Sequence, residues 1–278
     1  MKLPNSFVLL KKSSFMKWHL FVLMAIGFFC FVGPLFYSQD YHTQNLLLGA
    51  QAPSLHHIFG TDILGRDLLA RWMYGGRISI LIGLGAGFIA VGIGLGIGSI
   101  AGFMGGNVDR FFMRLIDILY PLPFTLLIIL VMTLTGRQLW MLVVVMGCVK
   151  WLTMARIIRN RVAALKTSTF VECSYCMGQK PLKIWWKHIV PNLISLMLVY
   201  GTLLIPNIIL EEAFISFLGL GVQPPLSSWG VLIFDGARFM EEYPWLLLIP
   251  GFFFSLTLCS LNALGDHLRD RLDSVHSN

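Results

Sequence analysis

Six long stretches of this chain are nearly free of charged residues, and they constrain its fold more than any other feature. They cover residues 19–37, 78–104, 115–135, 139–154, 193–215 and 245–264. A helix needs roughly 20 apolar residues to cross the hydrocarbon core of a bilayer, whereas strands of soluble sheets are far shorter. Each stretch is therefore predicted to form one transmembrane helix.

The composition argues against a soluble fold. Hydrophobic residues make up 56% of the 278 residues and charged residues only 13%, against about 25% charged residues in soluble domains. We expect one all-α, polytopic membrane domain with about six transmembrane helices, because six spans with short loops use up the chain. The first stretch has no small-residue cleavage site near Pro34, so it is interpreted as a retained helix and not a removable signal peptide.

The basic residues predict the orientation, because Lys and Arg concentrate in short cytoplasmic loops. If the N-terminus is inside, five of the 21 basic residues fall outside: Arg66, Arg71, Arg77, Arg137 and Arg238. The other sixteen fall inside: Lys2, Lys11, Lys12, Lys17, Arg110, Arg114, Lys150, Arg156, Arg159, Arg161, Lys166, Lys180, Lys183, Lys187, Arg269 and Arg271. Both termini are thus expected in the cytoplasm. The net charge of +7 then needs no nucleic acid to explain it.

Small residues recur along the second stretch at the spacing of close helix contacts. The pattern G-x-x-x-G occurs at 83/87, 92/96, 94/98, 98/102 and 102/106, and it predicts that another helix packs closely there. Residues 96–101 also match the dinucleotide pattern G-x-G-x-x-A, but no strand precedes them, so a nucleotide site is not expected.

The sequence contains no motif for enzymatic chemistry. The phosphate-binding loop G-x-x-x-x-G-K-[ST], the zinc motif H-E-x-x-H and the nucleophile motif G-x-S-x-G are all missing. We expect a chain that is not an enzyme, with no ATPase site and no cofactor or metal of its own.

The cysteines and histidines give only weak indications. None of the five cysteines falls in a predicted external loop, so a disulfide framework is not expected. Cys173 and Cys176 form a single C-x-x-C pair, which by itself is weak evidence for a metal or a redox function. His42, His56 and His57 lie in the first outer loop and leave a route for nickel conceivable.

The segment 155–191, between the fourth and fifth stretches, carries most of the functional signal. Thr169 and Glu172 fit a [ST]-x-x-E capping box, which predicts that a short helix begins there. Gly178 should end that helix, and Pro181 suits the first turn of a second helix over 182–189 that places Leu182, Trp185 and Ile189 on one side. Helix, glycine turn and helix would lie under the membrane. The pattern alone fits either a docking site for another protein or a basic loop held at the headgroups.

Three residues near the outer half of the fifth stretch are candidates for a pathway or gate. Pro206 should kink its helix because it removes a backbone hydrogen bond. Glu211 and Glu212 are acids in an apolar segment, where acids are rare and often functional. They could meet the amino terminus of a peptide, or they could pair with Arg77 or Arg238 as structural ions.

Two functions of other classes compete with a subunit that depends on an ATPase. A self-sufficient secondary transporter or channel should carry charged relays inside several spans, whereas the ionisable residues here are predicted at span ends. Asp117, for example, is expected to form a surface ion pair with Arg110 or Arg114. A membrane scaffold or receptor would leave Glu172 free to change.

Several strings of residues resemble one family. FVECSYCMGQKPLKIWWKHIVPN, residues 170–192, is similar to the E-A-A-x-x-x-G cytoplasmic loop of ABC importer permeases, with Cys173 and Ser174 in place of the alanines. Residues 59–83, 215–237 and 261–273 resemble the entry to the second span, the external loop and the C-terminal signature of C-type permeases in peptide and nickel importers. The run from Val199 into PPLSSWG is most similar to oligopeptide permeases of this type.

The resemblance implies a type I ABC importer permease fold and a dependence on partners. A second, B-type permease would complete the pathway, two cytoplasmic ATP-binding subunits would use ATP and Mg, and an external protein would deliver oligopeptides. Dipeptides or nickel are the alternative cargoes. The resemblance assigns the coupling to the ATPase to a set of five residues: Thr169, Glu172, Cys173, Ser174 and Gly178.

These inferences divide the chain into consecutive segments. We expect a cytoplasmic segment over 1–17, a first transmembrane helix over 18–37, an external loop with the entry to the second helix over 38–77, a permease core over 78–266 that contains the coupling loop 155–191, and a cytoplasmic tail over 267–278.

Overall fold

The computed structural model describes residues 5–276, and it describes side chains over residues 15–272. Within these residues the only strand-like pairing is an isolated bridge between Thr61 and Asp67, so the predicted all-α class is confirmed. Lys2 and the outermost parts of the predicted segments 1–17 and 267–278 lie outside the described residues, as do the side chains of Lys11 and Lys12.

The described chain consists of helices, most of them joined by short connections. In chain order they are α1 Asn5–Phe31, α2 Gly33–Phe36, α3 Leu68–Met104, α4 Gly106–Leu119, α5 Phe124–Thr135, α6 Leu139–Lys166, α7 Thr169–Cys176, α8 Pro181–Ile184, a π-helical turn Trp185–Ile189, α9 Val190–Phe217, α10 Trp229–Arg238 and α11 Trp245–His276. One long loop connects α2 to α3.

The apolar stretches of the sequence all lie on helices. Four helical segments of the described chain are long and apolar enough to cross a membrane: Leu68–Met104, Leu139–Lys166, Pro181–Phe217 and Trp245–Leu272. The first stretch lies on α1, whose described apolar part is the shorter helix Phe15–Phe31.

The third stretch is not one straight helix as predicted. It is divided between α4 and α5, which are bent by 83° at the break between them. Pro121 and Pro123 occupy the break, and a proline cannot continue a helix because it lacks the N–H group and clashes with the preceding turn. The 12 residues of α5 span only about 18 Å at 1.5 Å per residue.

Two helices also extend beyond their apolar stretches. α3 begins at Leu68, because the Asp67 side chain accepts a hydrogen bond from the backbone N–H of Ala70 at 2.8 Å and caps the helix there. α6 continues to Lys166, so residues 155–166 are a helical extension of the fourth span and not part of a loop.

Close packing of α3 against α6 depends on glycine. A Cβ atom on Gly102 would lie 2.6 Å from the carbonyl oxygen of Arg159, and one on Gly98 would lie 3.0 Å from the Cα of Ala155. Gly92 and Gly96 face open space instead. Of the predicted small-residue spacings, the 94/98/102 row therefore forms this helix contact.

One end of the bundle is closed by α10, which packs into a cluster of aromatic residues. Trp229 is fully buried, and its indole N–H donates to the carbonyl oxygen of Trp72 on α3 at 3.2 Å. The two indole rings stack with centroids 6.1 Å apart. This contact fixes the N-terminus of α10 beside α3 and α9.

Candidate functional site

The segment between α6 and α9 forms the predicted arrangement of two helical pieces around a glycine turn. Two residues, Thr167 and Ser168, separate α6 from α7. Gly178 follows α7 with φ +71, a left-handed conformation that favours glycine. Pro181 stands in the first turn of α8, where its missing N–H costs nothing.

The start of α7 differs from the predicted capping box. Ser168, not Thr169, is the N-cap residue, and no side chain caps the helix. The Ser168 hydroxyl donates to the carbonyl oxygen of Leu165 in the last turn of α6. The predicted helix start was therefore wrong by one residue. The Ser168 hydroxyl does not cap α7, because it is bonded to the last turn of α6 instead.

The predicted coupling residues fall on both faces of α7. Thr169, Glu172, Cys173 and Gly178 are exposed. Ser174 is buried, and its hydroxyl donates to the carbonyl oxygen of Phe170 at 2.8 Å. One face of α7 thus packs on the bundle, and Glu172 and Cys173 point away from it.

The exposed side of this segment is largely apolar. Met177 is 70% exposed, Leu182 74% and Trp186 67%. Leu182 was predicted to face the same side as Ile189, but Ile189 is fully buried. The π-helical turn after α8 changes the angular spacing of side chains. An exposed apolar patch of this kind marks a contact with another protein or with the membrane.

The second helical piece is joined directly to the fifth span. Pro181–Phe217 runs as a single long helical segment through the π-helical turn. This differs from the prediction of a separate helix lying under the membrane. No loop separates α8 from α9.

Glu212 is fully buried in a network of serines. It accepts hydrogen bonds from Ser79 on α3 at 3.1 Å and from Ser216 at 2.7 Å. Ser79 in turn accepts from the backbone N–H of Trp229 at 3.2 Å. The network joins α3, α9 and α10, and the predicted pairing with Arg77 or Arg238 is wrong for this residue.

Glu211 forms an ion pair with Lys150 on α6. This corrects its predicted partners, Arg77 and Arg238. Lys150 lies about 16 Å from the start of α6, and Glu211 about 9 Å from the end of α9, at 1.5 Å per residue. The ionisable residues are therefore not confined to span ends. The Oε2 atom of Glu211 is buried and has no partner within the described chain.

The three gate candidates do not converge on one surface. Pro206 is buried and lies inside an unbroken α9. Glu211 is half-buried at the contact with α6, and Glu212 points into the serine network between α3 and α10. They share one helix but face different neighbours.

A cluster of charges around Arg71 was missed by the sequence analysis. The Arg71 guanidinium, 4% exposed, pairs with Asp62 at 2.6 Å and with Asp235 on α10 at 3.1 Å. Arg66 pairs with the same Asp62 at 2.7 Å. The alternating acids and arginines of residues 62–71 were the available signal, but only the fold brings in Asp235.

Asp67 lies at the centre of a second polar cluster, with Tyr37 and His57. It accepts from the Tyr37 hydroxyl at 3.1 Å and lies 2.8 Å from Nδ1 of His57. Burial, together with the negative charge of Asp67, raises the pKa of Tyr37. His42 contacts Asp40 instead, and no group of three potential metal ligands occurs among the described residues.

α4 is attached to the end of α6 by two ion pairs. Asp117 pairs with Arg156 at 2.7 Å, so its predicted pairing with Arg110 or Arg114 is wrong. Asp109 pairs with Arg159, with Nε and Oδ1 2.7 Å apart. α4 therefore lies against the end of the bundle that carries α7.

Comparison with known proteins identifies relatives of the whole chain. Residues 94–274 match a protein family described as binding-protein-dependent transport system inner membrane component. The chain is 44% identical over 256 residues to the oligopeptide transport system permease protein OppC of Haemophilus influenzae, covering 91% of this chain and 82% of the relative. OppC of Escherichia coli K12 is 46% identical, over 91% and 85% of the two chains. The dipeptide transport system permease protein DppC of Bacillus subtilis is 40% identical, over 95% and 83%.

Proposed function

The chain belongs to the family of binding-protein-dependent transport system inner membrane components, and on this premise we propose that it is the permease subunit of an ATP-driven oligopeptide importer. The observation that carries the proposal is its 44% and 46% identity to two oligopeptide permease proteins over 91% of its length. A dipeptide cargo is the second candidate, because a dipeptide permease is 40% identical over 95% of the chain. Nickel is the third.

In this proposal α7 is the element that docks on a cytoplasmic ATPase. Glu172 and Cys173 would contact the ATPase, Gly178 would allow the turn, and Ser174 would hold α7 on the bundle while Thr169 starts the helix. The exposed Met177, Leu182 and Trp186 supply an apolar surface for the docking. No ATP-hydrolysing motif is present, so ATP and Mg would be bound by two partner subunits.

The connections of α7 explain how its motion would reach the membrane. α7 follows α6 after two residues and leads through α8 into α9, and these two spans are joined by the Lys150–Glu211 ion pair. A switch between states from 1:99 to 99:1 requires roughly 5.5 kcal/mol of differential binding. ATP binding between the partner subunits would supply that free energy.

The remaining partners complete the pathway. A second, B-type permease would form the other half, and an external peptide-binding protein would deliver the cargo at the end that carries α10. α9, with Pro206, Glu211 and Glu212, would form the wall that moves. Both termini would lie in the cytoplasm, at the α7 end of this multi-pass inner membrane protein.

Uptake in cells tests the cargo. Cells with and without this chain are given labelled pentapeptide, dipeptide or nickel, each with ATP present and then depleted. Loss of ATP-dependent pentapeptide uptake on deletion is expected. A defect in dipeptide or nickel uptake alone would move the cargo to that class, and no ATP-dependent defect would contradict the importer assignment.

A charge reversal on α7 tests the coupling. Glu172→Lys should reduce cargo uptake at least tenfold, because a cation replaces the one acid of an exposed docking surface, while the amount of chain in the membrane stays unchanged. Lys180→Glu, at an exposed position outside the proposed contact set, is the matched control. Unchanged uptake in Glu172→Lys would contradict the coupling proposal.

A further inference from the structure

α4 carries an exposed surface that neither the fold nor the proposed coupling uses. Its inner face is pinned to the bundle by the buried Ile116, which packs with Leu152 and Ala155 of α6. On the outer face Phe111 is 65% exposed and Ile118 64% exposed. The helix therefore has two apolar sides. One is buried against the bundle, and the other is exposed.

The open apolar side borders a cationic edge. Arg110 and Arg114 are four residues apart, so they lie on the same side of the helix, next to the line of Phe111, Leu115 and Ile118. Both arginines are exposed, and within the described chain neither forms a salt bridge to a carboxylate. The two acids of α4 form ion pairs with α6 instead, since Asp109 pairs with Arg159 and Asp117 with Arg156.

The bend between α4 and α5 gives this surface its orientation. α5 is apolar throughout, and α4 leaves it at 83°. If the short, apolar α5 is inserted along the bilayer normal, the 83° bend places α4 nearly parallel to the membrane plane. Tyr120 stands at the bend beneath the Arg156 guanidinium, 4.9 Å from its ring centroid, and tyrosine is enriched where hydrocarbon meets headgroups.

We propose that α4 is an interfacial helix that binds anionic phospholipid, with Phe111, Leu115 and Ile118 inserted among the acyl chains and Arg110 and Arg114 on the phosphates. Cations beside an apolar strip match a phospholipid, whose phosphate lies directly above its hydrocarbon. A protein partner would need carboxylates to cover two arginines at this edge. The open apolar side continues onto α5 through Leu122, Leu126 and Leu130, which are also exposed.

Photocrosslinking separates lipid from protein at this surface. The photoreactive amino acid p-benzoylphenylalanine is placed at position 111 of the full-length chain in its native cell membrane with its partners present. The expected product is a phospholipid adduct. The matched control carries the probe at position 47, where Leu47 is fully exposed in the external loop, and should give little lipid adduct.

A labelled protein of discrete mass would overturn the proposal and assign this face to a partner subunit. Lipid labelling no greater than at position 47 would overturn it as well. Neither outcome bears on the importer assignment, which is tested by uptake.

The charge preference is tested in bilayers of known composition. The chain with the probe at position 111 is placed in nanodiscs of three parts phosphatidylcholine and one part phosphatidylglycerol. The adducts should contain more phosphatidylglycerol than the bilayer ratio predicts. R110Q/R114Q should lower this enrichment by up to about fivefold per arginine, because each basic residue contributes about 1 kcal/mol to the attraction of anionic lipid. R110K/R114K keeps the charge and should keep the enrichment. An enrichment unchanged in R110Q/R114Q would contradict the phosphate contacts.

Discussion

At the scale of single residues, the two acids of α9 are each matched to a specific neighbour. Glu212 is satisfied by hydroxyl groups, and Glu211 by an ammonium group from another helix. An isolated charge in hydrocarbon is costly, so these partners determine whether the acids can be tolerated there. They join helices far apart in sequence.

The Lys150–Glu211 pair gives a prediction at this scale. Lys150→Met leaves the Glu211 carboxylate partly buried without a cation, so the chain should lose stability, by somewhat less than the roughly 3–5 kcal/mol found when fully buried pairs are broken. The midpoint of thermal unfolding of the purified chain in detergent measures the loss.

The double variant K150M/E211Q is the control for this prediction. It removes both charges and should recover most of the stability lost in K150M. A single variant as stable as the wild-type chain would show that the pair contributes nothing.

Which residues are acids in apolar surroundings could be read from the sequence, but their partners could not. Glu211 was expected to meet Arg77 or Arg238, yet its partner Lys150 lies on the helix that precedes α7. Pairing depends on the rotation and the relative height of two packed helices, and neither is encoded in local spacing. The same holds for Asp117, whose partner is on α6 and not on its own helix.

At the scale of helices, hydropathy located every apolar segment but not its direction. A run of apolar residues indicates burial in lipid but does not show whether the helix bends. The third stretch was therefore predicted as one span, although α4 and α5 meet at 83°. The two prolines in the break were visible. They were not interpreted as the corner between two helices.

Helix ends past the apolar windows were also missed, for a different reason. Residues 155–166 continue α6 with half-buried arginines beside Ile158 and Val162, which are fully buried. This is the pattern of an amphipathic helix, which a search for uninterrupted apolar runs does not find.

The contact between α3 and α6 gives a prediction at this scale. Gly98→Ala should destabilise the chain by about 1–3 kcal/mol, the range for overpacking, because the new Cβ would lie 3.0 Å from the Cα of Ala155. Unfolding of the two variants in the same detergent measures the difference.

Gly96→Ala is the matched control, two residues away on the same helix and facing open space. Alanine there should be neutral or stabilise α3 by up to about 1 kcal/mol through its helix propensity. Equal effects of the two substitutions would argue against glycine-mediated packing.

At the scale of the whole molecule, the long loop over residues 38–67, predicted to be external, is joined to the bundle by ion pairs. Arg71 on α3 joins Asp62 of the loop to Asp235 of α10, and the loop thereby becomes part of the folded body. The sequence showed the acids and arginines of residues 62–71, but a long-range partner appears only once α10 packs beside α3.

This tie gives a prediction for the molecule as a whole. Arg71→Met leaves Asp62 and Asp235 without their shared cation, so the loop over residues 38–67 should be cut by external protease at least tenfold faster in spheroplasts. Arg66→Met is the control, because Arg66 pairs only with Asp62 within the loop and leaves the link to α10 intact. Equal cleavage rates in the two variants would contradict the assigned link.

The two-residue connection between α6 and α7 also sets a mechanical limit. Three Cα–Cα steps lead from Lys166 to Thr169, so even a fully extended connection reaches only about 11 Å, and α7 cannot travel farther than that from the end of α6 unless a helix end unwinds. Under the proposed coupling, a displacement of α7 would therefore be passed to α6 with little play in the connection, and the length of this connection would limit the movement that α7 can impose on the spans.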